Sequence, residues 1–170
     1  MATKLIIEFF KEHNLYDVDM FWYFNNHISI YDYIDEDQRM FIGCAKGVNK
    51  DTNRLESITI GLPYIYDDIT KFISINVLLH AIMLYNKLGK KYHTNIDDEA
   101  LPMMYGKLYA NLVNSDRLNN YVNRLDSMIT EENKEHYIGL EVRDELLNNY
   151  NNDPYEMKKL SKKLTKKYQK

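Results

Sequence analysis

A chain of 170 residues can bury about two thirds of its unfolded surface around one core, so a single domain suffices. With 45% hydrophobic residues, 28% charged residues and one cysteine, Cys44, it reads as a globular protein of a reducing compartment, which excludes a disulfide framework. The net charge of −3 divides unevenly, because the last fourteen residues, MKKLSKKLTKKYQK, hold seven Lys and no acid, leaving 15 basic against 25 acidic residues in positions 1–156.

The opening stretch, MATKLIIEFFKEHN, has Glu8, Lys11 and Glu12 breaking its apolar run. The expectation is therefore neither a signal peptide nor a membrane span, and a cytoplasmic location. Leu5, Ile6, Phe9 and Phe10 share one face of a helix that Thr3 can cap. Three strand-like runs follow. HISIYDYI places Ile28, Ile30 and Ile34 on one face, RMFIGCAKGV comes after the acidic turn DEDQ, and LESITIGLPYI comes after NKDTN, a turn-forming connection suited to a hairpin. The simplest topology is a three-stranded antiparallel meander. Pro63 marks the end or edge of the third strand.

Asp67 or Asp68 can cap the next helix, ITKFISINVLLHAIMLYNKL, whose apolar residues cover most of its circumference and whose stop is Gly89. A further helix is expected from about Asp97, and others from Asp116 to Met128, from Glu131 to Tyr150, and onward from Asp153-Pro154, where an N-cap precedes a proline at the first helical position. Helix, sheet, then helices is an α+β order, with one long buried helix in the mostly helical C-terminal part. The domain is placed at 1–156. Residues 157–170 are read as a basic amphipathic helix with Met157, Leu160, Leu164 and Tyr168 in a narrow stripe, docked on the acidic body and removable without unfolding it. Seven lysines with no arginine and one aromatic residue argue against nucleic acid as the partner.

The candidate chemistry centres on His80, in I-N-V-L-L-H-A-I-M-L-Y, and on Glu99, in D-D-E-A-L-P at the start of the following helix. A strand entering a long buried helix, then a turn and a helix that opens with acids, resembles the core of small glutamate-zincin metallopeptidase domains over roughly residues 55–113. That family carries H-E-x-x-H on its first helix, two histidines one turn apart binding zinc and the glutamate activating water, with a glutamate of the next helix as third ligand. The resemblance puts His80 at the second histidine and Glu99 at the third ligand. Asn76 then stands at the first histidine and Val77 at the general base. A carboxamide is a poor substitute for imidazole, and valine accepts no proton, so the resemblance implies a degenerate motif.

The expected function is thus a non-catalytic, zincin-like domain that binds a protein or peptide, with no cofactor and a groove formed by Asn76, Val77, Ile58 and Ile60. In active zincins the strand before the motif helix pairs with extended peptide, which Leu55–Ile60 could do here. The alternative is a small zinc-dependent hydrolase using His80, His93 and Glu99, since His93 lies between the two helices. His13 and His27 have no partner at ligand spacing, and His136, in the charged run EENKEHY, reads as a solvent-exposed residue. Cys44 reads as a small core residue. No G-x-x-x-x-G-K-[ST], G-x-G-x-x-G, G-x-S-x-G or paired C-x-x-C occurs, so nucleotide binding, serine hydrolysis and a zinc ribbon have no support.

Overall fold

The computed structural model describes residues 2–15, 29–32, 43–63, 67–93 and 96–168. Helix α1 (Ala2–Glu12) buries Phe9 and Phe10 and delivers His13, whose Nδ1 meets the Tyr150 hydroxyl at 2.5 Å. The His13 ring lies 4.5 Å from that of Phe9, and burial lowers its pKa against the opposing pull of Glu12. It is a core histidine joined by a polar contact to the other end of the chain. His27 falls outside the described residues.

The sheet is formed by β1 (Ser29–Asp32), β2 (Gly43–Val48) and β3 (Leu55–Leu62) in the order β1-β3-β2. Only β2 and β3 are antiparallel, pairing from Gly43 with Gly61 to Val48 with Leu55 around the NKDTN connection. The short β1 runs parallel to β3, with Ser29 opposite Thr59 and Asp32 opposite Leu62. This corrects the antiparallel meander. The hairpin at NKDTN is local and forms as its turn chemistry dictates. The ten residues between β1 and β2 can reach past an intervening strand, a distance of about 10 Å, so DEDQ does not force its flanking strands to pair.

Helix α2 (Asp68–Tyr85) starts on a reciprocal cap. Asp67 Oδ1 accepts from the Thr70 backbone N–H at 2.8 Å, and the Asp67 N–H donates to Thr70 Oγ1 at 3.1 Å. The helix packs beneath β2 and β3, where Ile75, Ala81 and Leu84 join Leu55, Ile58 and Ile60 in the core. By length and a mean hydropathy of 1.3 it is the one described helix apolar enough to cross a bilayer, but half of it is buried inside the fold. It stops at Tyr85, four residues short of the expected Gly89. The chain there turns back on the sheet: the Gly89 N–H donates to the Leu55 carbonyl at 2.7 Å, and the Leu55 N–H to the Lys90 carbonyl at 3.1 Å. Gly89 still takes the left-handed conformation expected of it, with φ +74.

Four more helices complete the described chain: α3 (Asp97–Val113), α4 (Asp116–Ser127), α5 (Lys134–Asn148) and α6 (Pro154–Tyr168). Helix α3 is the hub, packed against α2, α5 and α6. Arg143 of α5 is buried and ties α5 to α4, its Nη1 donating to both Asp126 carboxylate oxygens at 2.8 Å and its Nε to Asp144 at 2.9 Å. Helix α6 opens as its Asp-Pro pair predicts, with Asp153 Oδ1 accepting from the Tyr155 and Glu156 N–H groups at 2.9 and 3.2 Å. The boundary expected at 156/157 falls inside this helix. Met157 is 1% exposed and Leu164 8%, so the basic segment contributes core residues.

Candidate functional site

Three helices converge on one carboxylate. Glu99, in the first turn of α3, has a side chain only 7% exposed, at a helix end whose backbone field favours an acid. From the C-terminal half of α2, His80 brings Nε2 to 3.7 Å from Glu99 Oε2. From the first turn of α5, His136 brings its own Nε2 to 3.4 Å from the same oxygen. Gly139, one turn after His136, faces Glu99 across this contact: a Cβ there would stand 3.4 Å from both Glu99 Cβ and Met103 Sδ, close to ordinary contact, which leaves little room for a side chain longer than alanine.

The periphery of the cluster is polar and ordered. His136 Nδ1 lies 2.9 Å from Oδ1 of Asn133, the residue that precedes α5. Next to Glu99, Asp98 is 2% exposed and ion-paired with Lys87, two residues beyond the end of α2. From β2, the Lys46 ammonium lies 5.4 Å from the centre of the Tyr92 ring. Burial works against its charge but is outweighed by Tyr92 and by the Glu99 and Asp98 carboxylates, so the pKa of Lys46 is raised. Burial pushes the Cys44 thiol up to about 11; Lys46 opposes this and Glu99 adds to it. Cys44 is therefore a thiol rather than a thiolate, as its reading as a small core residue requires.

Comparison with protein family models, with curated proteins and with solved structures gives no match. The site is therefore judged on its own geometry.

Of the residues singled out in the sequence, His80 and Glu99 are brought together. His93 is exposed in the connection after α2, and among the described contacts none joins it to either. The second imidazole is instead that of His136, which the sequence reading left to solvent. Asn76 is half-buried on α2 one turn before His80, and Val77 is buried in the core. Ile58 and Ile60 do not line a groove, because both are fully buried between sheet and α2. Along Leu55–Ile60, β2 covers one side of the backbone; on the other, β1 pairs from Thr59 onward and Leu55 is bonded to Gly89 and Lys90. The outer edge of β2 has no partner strand among the described residues. Among those residues, too, no group of three or more His, Cys, Asp or Glu that could hold a metal ion is found; the cluster consists of two pairs sharing one oxygen.

Burial lowers the pKa of His80, more than Glu99 raises it, and Lys46 and His136 lower it further. An unfolded chain takes up a proton at this side chain near pH 6.5, whereas the folded chain resists it to lower pH. Between the two values the unfolded state binds more protons, so the contribution of His80 to stability falls as pH drops through that window. His13 acts with the same sign. Melts in chelator are expected to show a lower midpoint at pH 5 than at pH 7.5, with part of the drop absent in His80→Gln. Equal drops in both proteins would mean that His80 is not held neutral by the fold.

Proposed function

We propose that this chain is a zincin-like domain that binds an extended protein or peptide segment without hydrolysing it. The observation that carries this reading is the 3.7 Å approach of His80 to Glu99, across two helices, at the positions that the resemblance assigns to the second histidine and the third ligand. Asn76 and Val77 occupy the other two positions. Val77 has no proton-accepting atom and faces the core, so the mechanism lacks its base, a loss of about 10²–10⁴ in rate.

The surface for a partner is the outer edge of β2, whose backbone can add a strand of extended peptide. The second edge of β3 is taken by β1 from Thr59 onward. The Glu99 carboxylate contributes to raising the pKa of both the Cys44 thiol and the Lys46 ammonium on β2, which supports placing the partner surface on this strand. The alternative, a zinc-dependent hydrolase using His80, His93 and Glu99, requires His93 to leave its exposed position.

The test is to pan phage-displayed random peptides on the full-length protein and synthesise those enriched. A bound peptide is expected to slow hydrogen exchange in Gly43–Val48 and to stay intact on incubation with zinc. Failure to enrich any peptide, or protection confined to other segments, would overturn the binding reading. Cleavage of peptide or β-casein that disappears in Glu99→Gln would establish the hydrolase instead.

A further inference from the structure

We propose that a cavity of about 180 Å³, bounded by the segment after α1 and by α2, α3 and α6, is a binding site for a small monocarboxylate with an apolar body. It shares no residue with the His80, Glu99 and His136 cluster or with β2, so the inference does not rest on the peptide-binding reading.

Helical spacing builds its walls. Leu79, Ile82, Met83 and Asn86 recur at three- and four-residue steps, so α2 and its C-cap turn one stripe toward the cavity. Leu101, Pro102 and Tyr105 meet it from the first turns of α3, and Pro154 and Lys158, one turn apart, from the start of α6. The locked rings of Pro102 and Pro154 cannot swing into the space to fill it.

The volume sets the size of the ligand. An apolar cavity of about 150 Å³ accepts benzene, whereas drug-sized ligands occupy about 300–1,000 Å³. A phenyl ring or an alkyl chain of about six to eight carbons therefore suits this one, and a long acyl chain does not.

The uncommitted polar groups set its head. Lys159 and Lys167 of α6 meet Glu156 and Glu145, but among the described residues no hydrogen bond or ion pair engages the Lys158 ammonium or the Asn86 carboxamide. Tyr105 is 2% exposed, and its hydroxyl has no hydrogen-bond partner among the described residues. Burial raises the pKa of that hydroxyl, with Tyr150 and Asp153 adding to the effect, so it keeps its hydrogen. Asp153 is itself occupied by two N–H groups of α6. An ammonium, a carboxamide and a phenol all offer hydrogens, so the complement is an acceptor, and one cation matches a monoanion. Lys158 is half-buried and Asn86 exposed, which puts the charged head at the mouth and the apolar body inside. The carbonyls that end α2 repel an anion, so the head lies toward Lys158.

The experiment is titration of the full-length protein with sodium octanoate, followed by calorimetry and by methyl NMR signals. One octanoate per chain is expected, with the Leu79, Ile82, Met83 and Leu101 methyl signals shifting together. Lys158→Gln is expected to weaken binding by about fivefold, and octan-1-ol and octylammonium to bind the parent more weakly than octanoate by about as much. Met83→Trp, which fills the cavity, is expected to abolish binding. Absence of saturable binding, or shifts confined to other methyl groups, would overturn the proposal. So would octan-1-ol or octylammonium binding as tightly as octanoate, because the head would then not be read as a carboxylate. If Met83→Trp fails to fold, the shifts in the parent and the effect of Lys158→Gln decide.

Discussion

A chain ending at Glu156 is expected to lose its cooperative thermal transition. The truncation removes Met157, Ser161, Leu164 and Thr165, all buried, and uncovers the faces of α3 and α5 that they pack on. Deleting one buried Met or Leu side chain costs about 2–5 kcal/mol, and a domain has only about 5–15 kcal/mol in total. Losing both with their helix therefore consumes most or all of the stability. The lysines matter little by comparison. Lys167 pairs with Glu145 at 2.8 Å, but with side chains 62% and 33% exposed the pair contributes about 0–1 kcal/mol and is screened by salt. Raising ionic strength is accordingly expected to leave the full-length melting point nearly unchanged. A truncated chain that still melts sharply within a few degrees of the parent would show that α6 is peripheral and held by charge.

That outcome separates two readings of the same fourteen residues. Charge is conspicuous in MKKLSKKLTKKYQK, and a narrow apolar stripe looks like an accessory surface. What the sequence does not display is the depth of the groove that receives the stripe, a property of α3 and α5 together. Local signals were legible for the opposite reason. Asp67 with Thr70, Asp153 with Pro154 and the NKDTN connection act within a few residues of themselves, so the elements they begin or join stand where their chemistry puts them. The strand order was not legible, because β1 pairs with β3, a strand more than twenty residues further along the chain, and no local turn signal reports that pairing.

The site divides along the same line. His80 and Glu99 stand on two helices that follow each other in the chain, so their pairing is legible in it. His136 lies 37 positions after Glu99 in a run of charges, and nothing in EENKEHY says that the helix it starts will turn that end inward. A trace was present in N-K-E-H-Y-I-G: Asn133, His136 and Gly139, at three-residue steps, are an orienting amide, an imidazole and a residue that permits close approach on one helical face. For Ile58 and Ile60, alternation reports that they share a face of a strand, not that α2 covers that face.

Replacing Lys87 with methionine is expected to be the most damaging single change near the site. Lys87, two residues beyond the end of α2, reaches Asp98, whose side chain is 2% exposed in the first turn of α3. With the ammonium gone, the carboxylate stays in the core with its charge less well compensated; breaking a buried pair costs about 3–5 kcal/mol. The field of Lys46 still reaches Asp98, which places the loss toward the lower end of that range. Methionine keeps the length and apolar stem of the side chain, so the loss reports charge more than packing. The double variant Lys87→Met, Asp98→Asn is expected to recover much of the deficit, because no charge is then left buried. A cycle of the two single variants and the double, measured by urea unfolding, isolates the coupling. If Lys87→Met costs less than about 1 kcal/mol, or if the double variant is no more stable than Lys87→Met, the pair does not hold the junction of α2 and α3. The position of Glu99, one residue on, would then have to be set by Gly139 and the packing of α5.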